Sequence, residues 1–149
     1  MRTGFIFLFL LILSVVSGSF IKTVNNIEDF KENNPGVTLI EMDFEDQEQF
    51  VISRSYSLGV RQTGDSVVAN GSNKRKWSIP QNVTTTLSYP SSGGNGAFLT
   101  YILINCEQSS NLGRAYVTSG GVGQHFIQII VEAQVTNYFN YAAFFYGIK

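Results

Sequence analysis

The sequence contains one cysteine and one histidine, and this scarcity excludes several kinds of site. A single cysteine, Cys106, cannot form a disulfide scaffold or a multi-cysteine zinc site. One histidine and one cysteine can hold a metal only with several carboxylates, and most carboxylates lie in one acidic segment near the N-terminus. We therefore expect no metal and no cofactor, with a loosely bound calcium ion in the acidic segment as the alternative.

Charged residues are also few, at 14% of positions, and the formal net charge is -1. A near-neutral chain is not typical of a dedicated nucleic-acid binder, so we expect no direct nucleic-acid contact. Few charges together with 12 Phe and 7 Tyr argue against intrinsic disorder. At 149 residues the chain has the size of one globular domain with a sizeable core.

The longest apolar run stands at the N-terminus. Arg2 precedes the apolar residues 5–16, and the small residues Ser17, Gly18 and Ser19 follow. This pattern predicts a secretory signal peptide, with a buried N-terminal strand or helix as the alternative. The run is too short to span a bilayer and no later run is longer, so we expect a secreted, extracellular protein without a stable membrane anchor. Cleavage after Ser17, Gly18 or Ser19 fits equally, and residues 1–18 are taken as the signal peptide.

Charge divides the remaining chain into an acidic segment, residues 19–49, and a β domain, residues 50–149. Residues 20–49 hold eight acidic and two basic side chains, whereas residues 50–149 hold seven basic and three acidic ones. The first interpretation is a solvated acidic lead-in, and the second is a segment that packs on a basic face of the domain. Residues 26–30 predict one helical turn, ended by residues 33–36, and residues 39–44 predict an extended segment.

Secretion would give meaning to two acceptor triplets for N-glycosylation, which begin at Asn70 and Asn82. Neither has proline at its middle position. Cys106 ends the apolar run that starts at Phe98, which favours a buried, inert thiol over an intermolecular disulfide.

From residue 50 onward the pattern is that of an antiparallel, β-sandwich-like, all-β domain, because β-branched and aromatic runs alternate with Gly, Asn, Ser and Pro clusters. Asn70 and Gly71 predict a type I′ turn between two hairpin strands. A central strand is expected over residues 97–104, and the glycines of residues 119–123 predict a tight connection. Residues 138–146 are apolar on both faces, which fits a buried strand or half of a homodimer interface.

The residues show no catalytic constellation. A nucleophilic triad or dyad would have to use His125, which stands beside Phe126 with no carboxylate motif nearby. Gly120, Gly121 and Gly123 lack the lysine and hydroxyl residue of a phosphate-binding loop. We therefore expect that the protein is not an enzyme, and a hydrolase that uses His125 is the weaker alternative.

Residues 113–124, GRAYVTSGGVGQ, resemble the signature of the insect family named for multiprotein bridging factor 2. Residues 58–66 resemble its opening, which has a Gly, an Arg and a Gly-Asp pair, and residues 82–90 resemble its Asn, Val, Thr and Tyr-Pro stretch. Residues 144–147 resemble its aromatic-Gly ending. The resemblance covers residues 52–148 but not the acidic segment, and residues 137–141 depart from the family pattern. The motif positions are Gly113, Arg114, Tyr116, Gly120, Gly121, Gly123 and Gln124.

This resemblance implies two functions and no catalytic residues. The family takes its name from a transcriptional coactivator that bridges a nuclear receptor and basal transcription factors, whereas many of its members resemble small secreted proteins. Because the chain begins with a signal peptide pattern, the sequence favours a secreted, non-enzymatic protein that binds a protein or a small ligand. The alternative is a coactivator that uses acidic residues 41–48 as its interaction surface.

Overall fold

The computed structural model describes residues 21–22, 27–47 and 51–149, with one short helix and eight strands. The elements are β1 (Ile21–Lys22), α1 (Ile27–Asn33), β2 (Ile40–Glu41), β3 (Asp43–Gln47), β4 (Ile52–Gly59), β5 (Ser66–Tyr89), β6 (Phe98–Gln108), β7 (Gly113–Gly120) and β8 (Ile127–Ile148). All strand pairs are antiparallel. The prediction of an antiparallel all-β domain is confirmed.

Two long strands organise the sheet. β5 pairs along one edge of β8 over almost the whole length of both strands. The other edge of β8 pairs with β7 along its first part and with β6 along its second part, so β6 and β7 follow one another on the same side. β4 adds to β6, and β3 adds to β4.

The sheet bends at the middle of these strands. The register of β5 shifts between Lys76 and Gln81, and Val135 in β8 has a positive φ of 52°. The Asn82 side chain accepts a hydrogen bond from the Val135 amide (3.0 Å), and Ser110 donates to the Gln134 carbonyl oxygen. We call residues 77–82, 109–112 and 134–135 the bend. A β-branched residue rarely adopts positive φ, so these hydrogen bonds hold an uncommon backbone conformation.

The bend divides the sheet into two halves that share one core. The first half-sheet contains β3, β4, β6 and residues 66–76 and 138–148, and the second contains β1, β2, β7 and residues 83–89 and 127–133. Ile102 and Phe145 of the first half belong to the same buried cluster as Leu87 and Ile129 of the second. The sheet therefore closes on itself as a nearly complete barrel around its apolar residues.

Residues 40–47, which we call the bridging segment, join the two half-sheets. β2 pairs with β7 in the second half, and β3 pairs with β4 in the first. Met42, between them, is 2% exposed, and its amide donates to the Ala115 carbonyl oxygen (2.8 Å). For these residues the solvated lead-in is the wrong interpretation, because extended backbone at an open edge of the sheet gains a ladder of hydrogen bonds. The extended conformation of residues 39–44 and the helix end before Pro35 are confirmed.

The predicted hairpin at Asn70 and Gly71 is wrong. Both residues lie within β5, opposite Phe144 and Ala143 of β8. Turn propensity is a local preference. A turn here would break the hydrogen bonds that β5 forms with β8 before and after Asn70, and it would expose the part of β8 that they cover. Residues 138–146 form no separate strand either, since they continue β8 from residue 127.

Alternate residues of this second part of β8 have different environments. The residues that face the core are buried: Phe139, Tyr141, Ala143 and Phe145. The residues between them are half-exposed: Tyr138, Asn140, Ala142, Phe144 and Tyr146. β8 is thus an interior strand, so self-association through this region could use its outer face but not its edge.

The signal peptide prediction, including its cleavage site, lies outside the described residues. Among the residues that the structure does describe, no helix has both the length and the apolar character needed to cross a membrane.

Candidate ligand groove at the loop end

Two glycine-rich loops meet at one end of the molecule, residues 90–97 between β5 and β6 and residues 121–126 between β7 and β8. Backbone hydrogen bonds join them: Gly123 donates to Leu99, Leu99 to Gln124, and Gly96 to His125, at 2.8 to 3.1 Å. The Nδ1 of His125 lies 2.8 Å from the Gly96 carbonyl oxygen. The loop end is therefore a connected rim.

Close packing within this rim depends on Gly120 and Gly96. Gly120 has a φ of +69°, and a Cβ there would collide with the Phe126 carbonyl oxygen. A Cβ at Gly96 would collide with the Tyr89 ring, whose hydroxyl accepts a hydrogen bond from the Ala97 amide (2.7 Å). Glycine at these positions allows the loops to lie directly on their neighbours.

A groove of about 330 Å³ opens beside the rim. Its lining is drawn from the ends of β5, β7 and β8 and from the residue 90–97 loop: Ser88, Tyr89, Pro90, Gly93, Gly94, Ser119, Phe126, Ile127 and Gln128. Ser88, Gln128 and Ser119 stand opposite one another on three adjacent strands, so they form a row across the groove. Phe126 is 45% exposed.

The lining combines hydrogen-bonding and aromatic groups without an acidic or basic side chain. Thr118 donates to the Oε1 of Gln128 (3.1 Å), which orients this amide and leaves its Nε2 as a donor. Two serine hydroxyls can donate or accept beside it. Such a groove suits a small uncharged ligand that has both an apolar face and hydroxyl or carbonyl groups, and its volume is at the small end for ligand sites.

The first part of the residue 113–124 motif lies away from the groove, where β7 meets the bridging segment. Gly113 is buried and accepts a hydrogen bond from the buried Arg54 guanidinium (2.7 Å). Arg114 forms an ion pair with Glu41 (2.8 Å), and both side chains are nearly half exposed. Tyr116 is opposite Glu41 in the ladder, and burial raises the pKa of its phenol. These residues attach the bridging segment to β7.

Asp65, from the residue 58–66 motif, holds another part of the fold. Its carboxylate accepts hydrogen bonds from the Arg61 side chain, the Gln62 amide and the Thr100 hydroxyl, each at 2.8 Å. These donors, Arg61 first, hold the pKa of Asp65 well below its usual range. Arg61 also lies over the Tyr146 ring, 3.8 Å from its centroid. The motif therefore connects the end of β4 to β6 and β8.

The remaining predicted residues lie apart from one another. His125 contacts the Gly96 carbonyl oxygen and the Phe98 ring, whose centroid is 5.8 Å away. Cys106 is a free thiol, 1% exposed, and burial raises its pKa, so the prediction of a buried cysteine is confirmed. Asn70 and Asn82 are both exposed. Within the described residues, no three acidic, histidine or cysteine side chains are grouped to hold a metal ion.

The two loops are predictable from the sequence, but the groove beside them is not. Ser88, Ser119 and Gln128 are ordinary strand residues in the sequence, and only the register of β5, β7 and β8 brings them into one row. Exposed Phe126 directly after the glycine-rich turn was the one available signal.

The comparisons with known proteins agree with the resemblance found in the sequence. The model of the family described as transcription activator MBF2 matches residues 58–147. The match begins near the end of β4, contains β5, β6 and β7 whole, and includes β8 except its last residue, Ile148. No curated protein and no solved structure matches the chain.

Proposed function

The chain belongs to the MBF2 family of transcription activators, and from this premise we propose that it is a secreted, non-enzymatic binding protein that takes a small uncharged ligand at the loop end. The groove carries the proposal. Two family motif stretches that are more than twenty residues apart in the sequence both contribute to its lining, the first through residues 88–90 and the second through Ser119.

Secretion is supported by the N-terminus of the sequence. Arg2, the apolar residues 5–16 and the small residues 17–19 have the arrangement of a signal peptide. Two exposed asparagines, Asn70 and Asn82, stand in acceptor triplets, as expected for a chain that passes through the secretory pathway.

The ligand's chemistry follows from the lining. A charged ligand would lose water without gaining an opposite charge, because the lining offers none. Phe126 and Tyr89 provide apolar area, and Ser88, Ser119 and Gln128 provide directional hydrogen bonds. The ladder of β5, β8 and β7 holds the backbone of Ser88, Gln128 and Ser119 in place, which lowers the entropic cost of binding a ligand to them.

Binding is tested by titrating the secreted protein with a panel of uncharged hydroxylated and aromatic fragments, followed by the NMR shifts of backbone amides. We expect shifts at Ser88, Ser119 and Gln128, and at least tenfold weaker binding in Gln128→Leu and Phe126→Ala. Ile79→Ala is the matched control, because it also removes an exposed apolar side chain (76% exposed), but at the bend and not in the groove. The groove would be refuted as the binding site if fragments bound equally well to all variants. It would also be refuted if no fragment shifted the amide signals of Ser88, Ser119 and Gln128.

A transcriptional coactivator is the second candidate function, favoured by the family description and by the bridging segment. Asp43 presents an exposed carboxylate to which a basic partner could bind, and Glu41, although paired with Arg114 (2.8 Å), is still 49% exposed beside it. Co-purification of basal transcription factors with the full-length chain from nuclei, lost in Glu41→Lys with Asp43→Lys, would favour this function. Recovery of the chain from nuclei without such partners would count against it.

A further inference from the structure

The outer face of the first half-sheet carries a row of large apolar side chains. Tyr101 and Leu103 of β6 and Phe144 and Tyr146 of β8 all point away from the core and are half-exposed. Val67 of β5, opposite Tyr146, extends the row and is 43% exposed. A contiguous apolar patch of this kind on a secreted domain is expected to be covered.

One end of the row is already covered by the protein. Arg61 lies over the Tyr146 ring, and Tyr146 packs against Tyr101 with a centroid distance of 5.8 Å. Phe144 and Leu103 stand next along the two strands, directly opposite each other. They form the part of the row that most needs a cover.

Asn70 stands where a cover could be attached. It is opposite Phe144 in the ladder between β5 and β8, it is exposed, and directly opposed residues project to the same face of a sheet. Their Cβ atoms are expected to be about 4.5–5.5 Å apart. Asn70, Gly71 and Ser72 form an acceptor triplet, and Ser72 is exposed as well.

We propose that Asn70 carries an N-glycan whose first sugar lies on Phe144 and Leu103 and covers this row. The inference rests on the proposed function, because the donor, a lipid-linked oligosaccharide pyrophosphate, belongs to the secretory pathway. Transfer joins the Asn70 Nδ2 to C1 of the first sugar, breaks the bond between that carbon and the pyrophosphate, and passes the amide proton to the departing pyrophosphate.

A sugar fits this position better than a second protein chain. One face of a pyranose ring consists of C–H groups and can pack on an aromatic ring, while its hydroxyl groups remain in water beside Ser72 and Asn105. A glycan at Asn70 also stands in the middle of the surface that face-to-face dimerisation would use. The glycan therefore excludes the homodimer that the apolar C-terminal run suggested.

Asn82 differs from Asn70 in its surroundings. Its Oδ1 accepts the Val135 hydrogen bond at the bend, so replacing it would alter the backbone as well as any glycan. The test therefore leaves Asn82 intact and removes only the Asn70 acceptor.

The test is a double-mutant cycle on the full-length chain expressed in insect cells. Ser72→Thr keeps the acceptor triplet and Ser72→Ala removes it, each with Phe144 and with Phe144→Leu. Glycopeptide mass spectrometry measures occupancy of Asn70, and the thermal midpoint Tm measures stability. The same four variants, produced with N-glycan transfer inhibited, report the effect of the substitutions alone.

We expect the Asn70 glycan to raise Tm by about 2–4 °C with Phe144, the shift for roughly one side-chain contact in a domain of this size, and to have no effect with Phe144→Leu. Equal effects in both backgrounds would overturn the proposed packing. A secreted protein with Asn70 unmodified would overturn this inference but not the proposed function. An intracellular chain that retains Met1 and lacks glycan would overturn both.

Discussion

Asp65 accepts hydrogen bonds from three donors, and one of them, Arg61, also covers an aromatic ring. None of these residues lines the groove. The carboxylate and the guanidinium fix the place where β4, β6 and β8 meet.

Asp65→Asn should lower the stability of the protein at neutral pH and have less effect in acid. Folding stabilises the ionised form of Asp65, because the hydrogen-bond donors around the carboxylate, Arg61 first, lower its pKa. This contribution is fully present above the unfolded pKa, about 3.9, and is lost as the pH falls through the folded pKa. Thermal unfolding of wild type and variant from pH 7 down to pH 2.5 measures it, with exposed Asp43→Asn as control. A Tm difference that grows towards low pH would contradict this assignment.

Gly120→Ala should destabilise the protein more than Gly64→Ala. Both glycines have positive φ, +69° and +86°, so alanine costs about 1–2 kcal/mol at either position. A Cβ at Gly64 meets nothing within 4 Å, whereas a Cβ at Gly120 meets the Phe126 carbonyl. Denaturant unfolding of the two variants isolates the cost of that collision. Equal free energies of unfolding for the two variants would show that Gly120 does not pack against the Phe126 carbonyl as described.

At the scale of elements, the bridging segment closes the sheet between β4 and β7. Its backbone pairs with both strands, and Met42 is its buried anchor. The acidic composition of the segment is thus compatible with a structural role, since Glu41 is paired with Arg114.

Met42→Ala should reduce the free energy of unfolding by about 2–5 kcal/mol, as for other buried large-to-small substitutions. Ile40→Ala, at a neighbouring position that is 56% exposed, should change it by less than about 0.5 kcal/mol. Urea unfolding measures both. If Met42→Ala is as mild as Ile40→Ala, the bridging segment is not part of the cooperative fold.

The elements show which features a sequence can predict. β6, the glycine turn after β7 and the end of α1 were predictable, because apolar runs, glycines and Pro35 act locally. The continuity of β5 through Asn70, Gly71 and Pro80 was not, because it depends on β8, which lies about sixty residues later in the chain. Packing of the bridging segment on the domain was only the second interpretation for the same reason: its partners are distant strands, and its composition is that of a solvated segment.

On the scale of the whole molecule, the bend converts a sheet of long strands into two facing halves and brings the loops of residues 90–97 and 121–126 together. The groove lies at the end of the second half-sheet, where the register of β5, β7 and β8 sets Ser88, Gln128 and Ser119 in one row. The groove was therefore the least predictable feature, although the residue 119–124 motif that borders it is readable in the sequence.

Family membership constrains the fold more than the function. The matched residues, 58–147, include the bend, the rim and every residue that lines the groove. The signal peptide pattern and the bridging segment lie before the match. Experiments on localisation should therefore address the N-terminal segment, and experiments on binding should address the groove.

The most direct test of the central claim, that the chain is secreted and binds a small uncharged ligand, is native mass spectrometry of the protein recovered from the medium and from the nuclei of insect cells expressing the full chain. We expect a protein in the medium that begins near Ser19 and retains a small uncharged molecule, which Gln128→Leu releases. A chain that begins at Met1, is found in nuclei and has no bound molecule would contradict this claim.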